Sequence, residues 1–299
     1  MSEHTPLIIG INVNEGTARD PNPHVPYTPE EIAEVAARSA QAGASVMHFH
    51  ARHRDGSMDH TAAGYAAVVR AVRARCDLLL APSMANVAGY DVEQRLSNIV
   101  PNQADPRTRV DLLPIDMGCA NMDLFDPQTK EYRSTDRVFV NDVATQTTLL
   151  DRCRSLGLTP YLASFNISWT RAILAHAAAG RVPRPAAIVF VLGGDEFVAA
   201  HPTTPEGLRA QVRMLPADFP AQWLVSSYRG DVLTIADEII GAGGHIVVGV
   251  GDYAHSERNH PTTPDLVAEV AAIGRRHHRN PATVAEAREL LGVARHAHR

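Results

Sequence analysis

The chain has 299 residues, of which 45% are hydrophobic and 20% are charged, and its formal net charge is −5 at pH 7. This composition is that of a globular protein, and the length suits either two domains or one large α/β barrel of about 250 residues. The mild negative charge and the lack of Lys/Arg runs argue against a nucleic-acid partner or a membrane surface. The sequence contains no run of about 18 consecutive apolar residues, so we expect no membrane span.

Short apolar runs recur along the chain at intervals that suit strands alternating with helices. Most runs are rich in aliphatic side chains and bounded by glycine, proline or polar residues, which is typical of buried strands. The predicted strands are Leu7–Val13, Ser45–Phe49, Leu78–Ala81, Val110–Ile115, Thr159–Ser164, Ala187–Leu192, Ala221–Ser226 and His245–Val250.

Helical patterns lie between these strands. The first begins at Thr28-Pro29-Glu30-Glu31, which combines an N-cap residue, a proline in the first turn and early acids. The further predicted helices are Thr61–Arg75, Val92–Ile99, Val143–Leu156, Ser168–Ala179, Thr204–Leu215, Val232–Ala242 and Pro264–Gly274, and a final helix, Thr283–Leu291, is predicted to pack as an appendage.

Eight such βα units are the number that closes a parallel barrel. A doubly wound open sheet is the alternative, but no Gly-x-Gly-x-x-Gly turn follows the first strand and the chain has no Walker-type phosphate loop. No Ser/Gly-rich linker divides the sequence. We therefore predict a single α/β domain over residues 1–299, a (β/α)8 TIM barrel with a C-terminal helical appendage.

Cysteine usage and the start of the chain bear on the cellular compartment. Cys76, Cys119 and Cys153 are scattered and form no Cys-x-x-Cys pair, which favours a reducing environment over a disulfide framework. The Met-Ser-Glu-His-Thr start lacks the basic region and apolar core of a signal peptide. We expect a cytoplasmic protein.

Two histidines, His48 and His50, flank Phe49 at the end of the second predicted strand. Side chains alternate between the faces of a strand, so both imidazoles point the same way. Two ligands on one side suit a single metal ion, and imidazole favours zinc and its neighbours. The alternative is a pair of buried, hydrogen-bonded core histidines. Their position at the rim of a barrel favours the metal site.

Polar residues follow most of the other predicted strands, where the chemistry of a barrel is located. Two histidines with nearby acids at one rim indicate more than the ordinary polarity of exposed loops. The candidates are Asn14 and Glu15 after strand one, Ser83 after strand three, Asp116 after strand four, Arg229 after strand seven and Asp252 after strand eight.

Several sequence blocks, in this order and at these spacings, make the chain resemble the β-keto acid cleavage enzymes. The resemblance spans nearly the whole chain. The blocks are Asn22-Pro23-His24-Val25-Pro26-Tyr27-Thr28-Pro29-Glu30-Glu31-Ile32, Ala42-Gly43-Ala44-Ser45-Val46-Met47-His48-Phe49-His50-Ala51-Arg52, Phe190-Val191-Leu192-Gly193, and Gly243-Gly244-His245-Ile246 followed by Gly249 and Asp252.

The resemblance implies a zinc-dependent (β/α)8 barrel, usually a homotetramer. Such an enzyme condenses a β-keto acid with acetyl-CoA and cleaves the product into acetoacetate and a new acyl-CoA. By the same resemblance His48 and His50 match the two zinc-binding histidines, Ser83 matches a serine that holds the carboxylate of the keto acid, and Asp252 matches the aspartate that acts in proton transfer.

The chain departs from the family pattern at four positions, which indicates a divergent branch. Gly251 stands where the family has a glutamate as the third zinc ligand, and Val247 replaces an arginine that assists the acid–base step. Pro114 aligns with a threonine and Asn166 with a carboxylate. The candidates for completing the metal site are Glu15, Asp252, Asp116 and His255.

A mechanism follows from these candidates. A metal would polarise the β-carbonyl group, and Ser83 with an asparagine such as Asn14 would orient the carboxylate. The base would be Asp252 or Glu15. Arg229 or Arg52 either binds an anionic carboxylate or a CoA phosphate, or is a solvated surface residue.

Three functions remain open from the sequence. The first is a metal-dependent enzyme that cleaves a β-keto acid with acetyl-CoA as co-substrate. The second is a CoA-independent metal-dependent C–C lyase or hydrolase. The third is a barrel that binds a small carboxylate without turning it over.

Overall fold

The computed structural model describes residues 5–294; residues 1–4, part of the start considered for a signal peptide, and residues 295–299 lie outside it. Eight parallel strands form one sheet, and all eight predicted strands are confirmed with small shifts at their ends. In chain order they are β1 Ile9–Asn12, β2 Val46–Phe49, β3 Leu79–Pro82, β4 Leu112–Asp116, β5 Thr159–Ser164, β6 Ala186–Gly193, β7 Ala221–Tyr228 and β8 His245–Val248.

The sheet curls into a nearly closed barrel. Hydrogen-bonded neighbours run in the order β3-β2-β1-β8-β7-β6-β5-β4. Among the described residues, the two edge strands β3 and β4 are the one neighbouring pair without a ladder between them. Asp111, just before β4, closes this seam: its backbone N–H donates to the Leu80 carbonyl at 3.1 Å, and its carboxylate accepts the Leu80 N–H at 3.1 Å. This ring confirms the TIM barrel and excludes the open doubly wound sheet.

Helices follow the strands as predicted. Their bounds are α1 Pro29–Ala42, α2 Ala62–Arg73, α3 Val92–Arg95, α4 Val143–Ser155, α5 Ile167–Ala178, α6 Pro205–Val212, α7 Ala236–Gly241, α8 Thr263–Arg276 and α9 Val284–Leu290. Helix α1 begins with a capping box between Thr28 and Glu31 and ends at Gly43, whose φ of 117° needs a residue without a Cβ. None of the described helices has the length and apolarity to cross a membrane.

Two predicted helices are only partly α-helical. Helix α3 ends four residues before the predicted Ile99, because the Arg95 carbonyl accepts the Ala85 N–H at 2.9 Å and a 3₁₀ turn, Val100–Asn102, follows. The predicted helix Val232–Ala242 begins as a 3₁₀ turn, Val232–Ile235, before α7.

Helix α9, the predicted appendage, packs under the barrel. Ala287 and Leu291 are fully buried in a cluster with Ile8, Leu79 and Leu112, which lie at the amino-terminal ends of their strands or just before them. The helix therefore plugs the bottom of the barrel and leaves the carboxyl-terminal end for a site.

The longest βα connection covers part of that carboxyl-terminal end. Residues 117–142, between β4 and α4, contain two short antiparallel pairs that the sequence did not predict. They are Ala120–Asn121 with Val138–Phe139, and Phe125–Asp126 with Glu131–Tyr132. The Phe125 N–H donates to the Glu196 carbonyl at 2.9 Å, which attaches this connection to the loop after β6.

Candidate active site

A cavity of about 340 Å³ opens at the carboxyl-terminal end of the barrel. Its polar wall comes from strand ends and its apolar wall from the connection over residues 117–142 and from β5, β6 and β8. None of the described residues that line it is a lysine or an arginine. Its lining residues include Asn12, Glu15, His48, His50, Ser83, Asn86, Pro114, Asp116, Met122, Phe139, Tyr161, Val189 and Asp252.

Glu15, His48 and His50 meet at one side of this cavity. The Oε2 atom of Glu15 lies 2.6 Å from Nε2 of His48 and 2.8 Å from Nε2 of His50. The two imidazole rings stand edge to face at 89°, with centroids 5.4 Å apart. One ligand atom from each of the three residues lies within 4.8 Å of the others. Two imidazoles and a carboxylate around one point are a donor set typical of catalytic zinc.

The backbone fixes the tautomer of His48. Its Nδ1 lies 2.7 Å from the carbonyl oxygen of Ala81 on the neighbouring strand, so Nδ1 carries the proton in this hydrogen bond. The other nitrogen, Nε2, is then free to ligate a metal. A backbone carbonyl behind a histidine is the usual support of a ligating imidazole, so the residues present fit a divalent ion.

Glu15 reaches the histidines because the end of β1 is tied to the end of β2. The fully buried Asn14 donates to the carbonyls of Pro26 and His50, each at 3.0 Å, and accepts the His50 N–H at 3.0 Å. Nη2 of Arg52 donates to the carbonyls of Asn14 and Glu15 at 2.5 and 2.7 Å. These bonds set the backbone from which the Glu15 side chain projects.

Charge interactions between Glu15 and the histidines shift the pKa values in this cluster. Burial alone would raise the pKa of Glu15, but the two histidines and their hydrogen bonds outweigh it and hold the pKa well below its usual range. Burial would lower the pKa of His48, yet the charge and hydrogen bond of Glu15 raise it. Without a metal, the cluster thus pairs an ionised Glu15 carboxylate with a His48 imidazole that is more basic than a free one.

Gly251, where the resemblance expected the third ligand, cannot carry a side chain in this backbone. A Cβ there would lie 2.5 Å from the Asn14 nitrogen and 2.6 Å from the Glu15 nitrogen. Of the four candidates for that ligand, Glu15 is the one beside both histidines. Asp252 and Asp116 line the same cavity. His255 is not among the described lining residues, and its Nδ1 instead lies 3.7 Å from Asp231.

Asp252 lies in the loop after β8 and is only 6% exposed. Its Oδ2 accepts a hydrogen bond from Nδ2 of Asn12 at 2.6 Å. Burial, reinforced by the nearby charge of Glu15, raises the pKa of Asp252 to about 7. A carboxyl group with this pKa exchanges protons readily near neutral pH.

Ser83, just after β3, and Asp116, at the end of β4, also line the cavity. The Ser83 hydroxyl donates to the adjacent Met84 carbonyl at 3.2 Å. Asp116 has its pKa raised to about 6, because burial outweighs the positive charge of Arg95. Both residues are therefore positioned to contact a substrate.

Two of the predicted substrate-binding residues lie away from the cavity lining. Both polar atoms of the Asn14 side-chain amide bond to the protein backbone, as described above. The guanidinium of Arg229 lies 3.9 Å from Glu196 and 5.5 Å from the centre of the Tyr228 ring. Arg52 likewise bonds to backbone carbonyls. The geometry gives Asn14 and Arg52 a positioning role, and substrate binding by Arg229 stays a prediction.

Sequence reasoning missed other groups at or beside the cavity. Asn12 holds Asp252, and its register opposite His48 assigns it to the same inward row. The period-two pattern of β1 could have revealed Asn12. Tyr161 lines the cavity with a buried hydroxyl that has no partner within residues 5–294. Arg95 ends the four-residue helix α3, and no motif in the sequence marked it as part of the site.

Two relatives match nearly the whole chain. The 3-keto-5-aminohexanoate cleavage enzyme of Acetoanaerobium sticklandii is 27% identical over 97% of this chain and 98% of the relative. The 3-oxoadipate:acetyl-CoA acetyltransferase of Cupriavidus necator is 26% identical over 96% of this chain and 95% of the relative.

The fold also matches a solved structure. The apo structure of ObcA superposes with a TM-score of 0.73 at 18% identity, covering 91% of this chain and 66% of the ObcA chain. At that identity the likeness concerns the fold alone. Residues 6–293, nearly the whole sequence, match the β-keto acid cleavage enzyme family. The chain therefore belongs to the β-keto acid cleavage enzyme family.

Proposed function

We propose that the protein is a zinc-dependent β-keto acid cleavage enzyme that uses acetyl-CoA and releases acetoacetate and a new acyl-CoA. The observation that carries this proposal is the convergence of Glu15, His48 and His50 in the cavity that also contains Asp252. Family membership supports the reaction class, and the name of the Cupriavidus necator relative supports acetyl-CoA as the co-substrate.

Glu15, His48 and His50 would hold the metal. A divalent ion bound there would supply Lewis-acid chemistry, polarising a carbonyl group of the substrate. We assign Glu15 to this ligand set rather than to the base, since a carboxylate with a depressed pKa is a weak proton acceptor. The ion could also be another divalent metal, since imidazole and carboxylate accept several.

The remaining chemistry falls to the protein's own groups. The Ser83 hydroxyl would donate to the carboxylate of the keto acid and orient it. Asp252, held by Asn12 at 2.6 Å, would take a proton from C2 of the keto acid, and the resulting carbanion would attack the acetyl carbonyl and displace the CoA thiolate. Attack of this thiolate on the β-carbonyl would break the C2–C3 bond and release the new acyl-CoA, and Asp252 would return its proton to the acetoacetate carbanion. The apolar wall would exclude water and so limit competing hydrolysis.

A substrate assay tests this function. Purified, zinc-loaded protein is incubated with a panel of β-keto acids, with and without acetyl-CoA, and acetoacetate and acyl-CoA are quantified. We expect both products only when both substrates are present. Cleavage without acetyl-CoA would replace the proposal with a CoA-independent lyase or hydrolase. Absence of turnover across the panel would instead favour a non-catalytic carboxylate-binding barrel.

A pair of matched variants connects activity to the cluster. Replacing both His48 and His50 by Ala should abolish bound zinc and turnover together. His53→Ala, an exposed histidine just beyond the strand, should change neither. Retained turnover in the double variant would contradict the proposed mechanism.

Assembly and compartment belong to the same proposal. The resemblance implies a homotetramer, so light scattering should give the particle mass of four chains of 32.4 kDa each. The cytoplasmic location is supported by three cysteines that are all free. A dimer or monomer at assay concentrations would refute the tetramer without affecting the chemistry.

A further inference from the structure

Asp231, His255 and Glu257 form a second cluster of possible metal ligands. One ligand atom from each of the three residues lies within 4.8 Å of the others. Asp231 follows β7 and precedes a 3₁₀ turn, whereas His255 and Glu257 lie in the loop after β8. None of the three is among the described residues that line the cavity. The cluster is therefore separate from the proposed zinc site.

His255 points an unused nitrogen into this cluster. Its side chain is 2% exposed, and its Nδ1 is sealed from solvent and makes no hydrogen bond within residues 5–294. The Oδ1 atom of Asp231 lies 3.7 Å from this nitrogen, too far for a hydrogen bond. The ring of Tyr253 packs edge to face against the imidazole, with centroids 4.9 Å apart. Since buried polar atoms almost always have a partner, this nitrogen indicates a ligand site.

The charges around His255 favour a cation. Arg258 pairs with Asp231 at 3.4 Å and with Glu269 at 2.5 Å. One arginine thus faces three carboxylates, counting that of Glu257, and a net negative charge remains beside the imidazole. Burial lowers the pKa of His255, so the ring is neutral at pH 7 and can offer a lone pair.

The Asp231 carboxylate is held with one oxygen toward His255. Its Oδ1 accepts the Leu233 N–H at 2.9 Å, and its Oδ2 faces Arg258. A carboxylate oxygen that accepts one hydrogen bond keeps a further lone pair. Oδ1 can therefore bind an ion on the side of His255 without losing its bond to the backbone.

We propose that Asp231, His255 and Glu257 bind a second divalent metal ion, of the series from manganese to zinc. One imidazole and two carboxylates are donors that these ions accept, and water would complete the shell. Nδ1 would be the histidine ligand, with the ring proton on Nε2. Glu257 is exposed, so the ion can enter from solvent and exchange with it.

An ion at this position would join the loops after β7 and β8. The same two loops meet beside the cavity, where the Arg229 N–H donates to the Asp252 carbonyl at 3.0 Å. Nδ2 of Asn22 also donates to the Ala254 carbonyl at 2.8 Å. A metal bridge would stabilise the folded arrangement of these loops. The role of this ion is structural, and it does not depend on the proposed cleavage reaction.

Manganese binding tests the second site on the zinc-loaded protein. Dialysis against metal-free buffer should keep zinc at the two strand histidines and empty the exchangeable site. The electron paramagnetic resonance signal of free Mn²⁺ then measures binding as Mn²⁺ is added. We expect one bound Mn²⁺ per chain and a higher melting temperature in its presence.

Two variants remove ligands from the second site. Glu257→Gln and His255→Ala should each weaken Mn²⁺ binding by about 10-fold or more and reduce the rise in melting temperature. Because Glu257 is exposed, its variant should fold even if the loss of the buried His255 disturbs the loop. Glu289→Gln, the same change at an exposed glutamate on α9, should bind Mn²⁺ as the wild type does.

A double variant separates the two metal sites. His48→Ala with His50→Ala should lose zinc and still bind one Mn²⁺ per chain. Three results would overturn the second site: no saturable Mn²⁺ binding, binding that is unchanged in Glu257→Gln and in folded His255→Ala, or binding that the double variant loses and Glu257→Gln keeps. If the predicted pattern holds while no β-keto acid is cleaved, the second site stands and the proposed function fails.

Discussion

We propose that the protonation state of Asp252 controls the chemistry. Burial and the neighbouring Glu15 charge raise its pKa to about 7, and one short hydrogen bond from Asn12 orients it. Its folded pKa lies above that of an ordinary carboxyl group, so the ionised form that acts as a base is populated as pH rises through the folded value. The metal would stabilise this carboxylate and lower that value.

The pH profile and one substitution test Asp252. We expect kcat/KM to rise with pH to an inflection no higher than about 7 and then to level off. Asp252→Asn should lower kcat by about 10² to 10⁴-fold while the zinc content is unchanged. Asp195→Asn, an exposed aspartate after β6, serves as the control. An Asp252→Asn enzyme with full turnover would exclude Asp252 as the base.

At the scale of elements, the loop after β1 contributes as much to the proposed metal site as the strands do. Arg52 bonds to two carbonyls of this loop from the end of β2, and Asn14 adds three further bonds. A rigid loop keeps the Glu15 carboxylate at the histidines, and that geometry determines metal affinity.

Arg52→Lys tests this support without touching a ligand. A lysine ammonium lacks the planar fork of arginine and is not expected to reproduce its bonds to both carbonyls, so Glu15 should shift. We expect zinc affinity, measured by competition with a chromophoric chelator, to fall by about 10- to 100-fold. Arg54→Lys, two residues further along and exposed, should bind zinc normally. Equal affinity in both variants would show that Arg52 does not position the site.

Sequence patterns were sufficient to predict the eight barrel strands and the main helices, but not the two short antiparallel pairs or the contacts between distant loops. The period-two rule predicted that His48 and His50 share a face, and the Thr28 capping signal predicted the start of α1. The choice of Glu15 over Asp252 depends on hydrogen bonds between residues 37 positions apart. The position of the buried Arg95 guanidinium depends on its hydrogen bond to Asn141, 46 positions away. Such contacts follow from the closed barrel and leave no periodic signal.

At the scale of the whole molecule, we propose that the chain forms a single domain. One sheet contains strands from Ile9 to Val248, and α9 near the end of the chain packs beneath the first strand. Every strand thus shares its core with elements distant in sequence. Such an arrangement is expected to unfold as a unit.

Chemical denaturation tests the single domain. Far-ultraviolet circular dichroism and tryptophan fluorescence should give one coincident transition, since Trp169 on α5 and Trp223 on β7 report different parts of the barrel. Bound zinc should move that transition to higher denaturant concentration, because it binds the folded form. Two separated transitions in the zinc-loaded protein would indicate two domains.

The most direct test of the metal-dependent cleavage is the metal content of the purified protein, measured with turnover, before and after Glu15→Gln. We predict stoichiometric zinc or another divalent metal in the wild type and a loss of most of it in the variant, with acetyl-CoA-dependent cleavage lost in proportion. Glu131→Gln, an exposed glutamate, should keep both. A wild-type protein that is active without a divalent metal, or a Glu15→Gln protein with full metal content and turnover, would contradict this account.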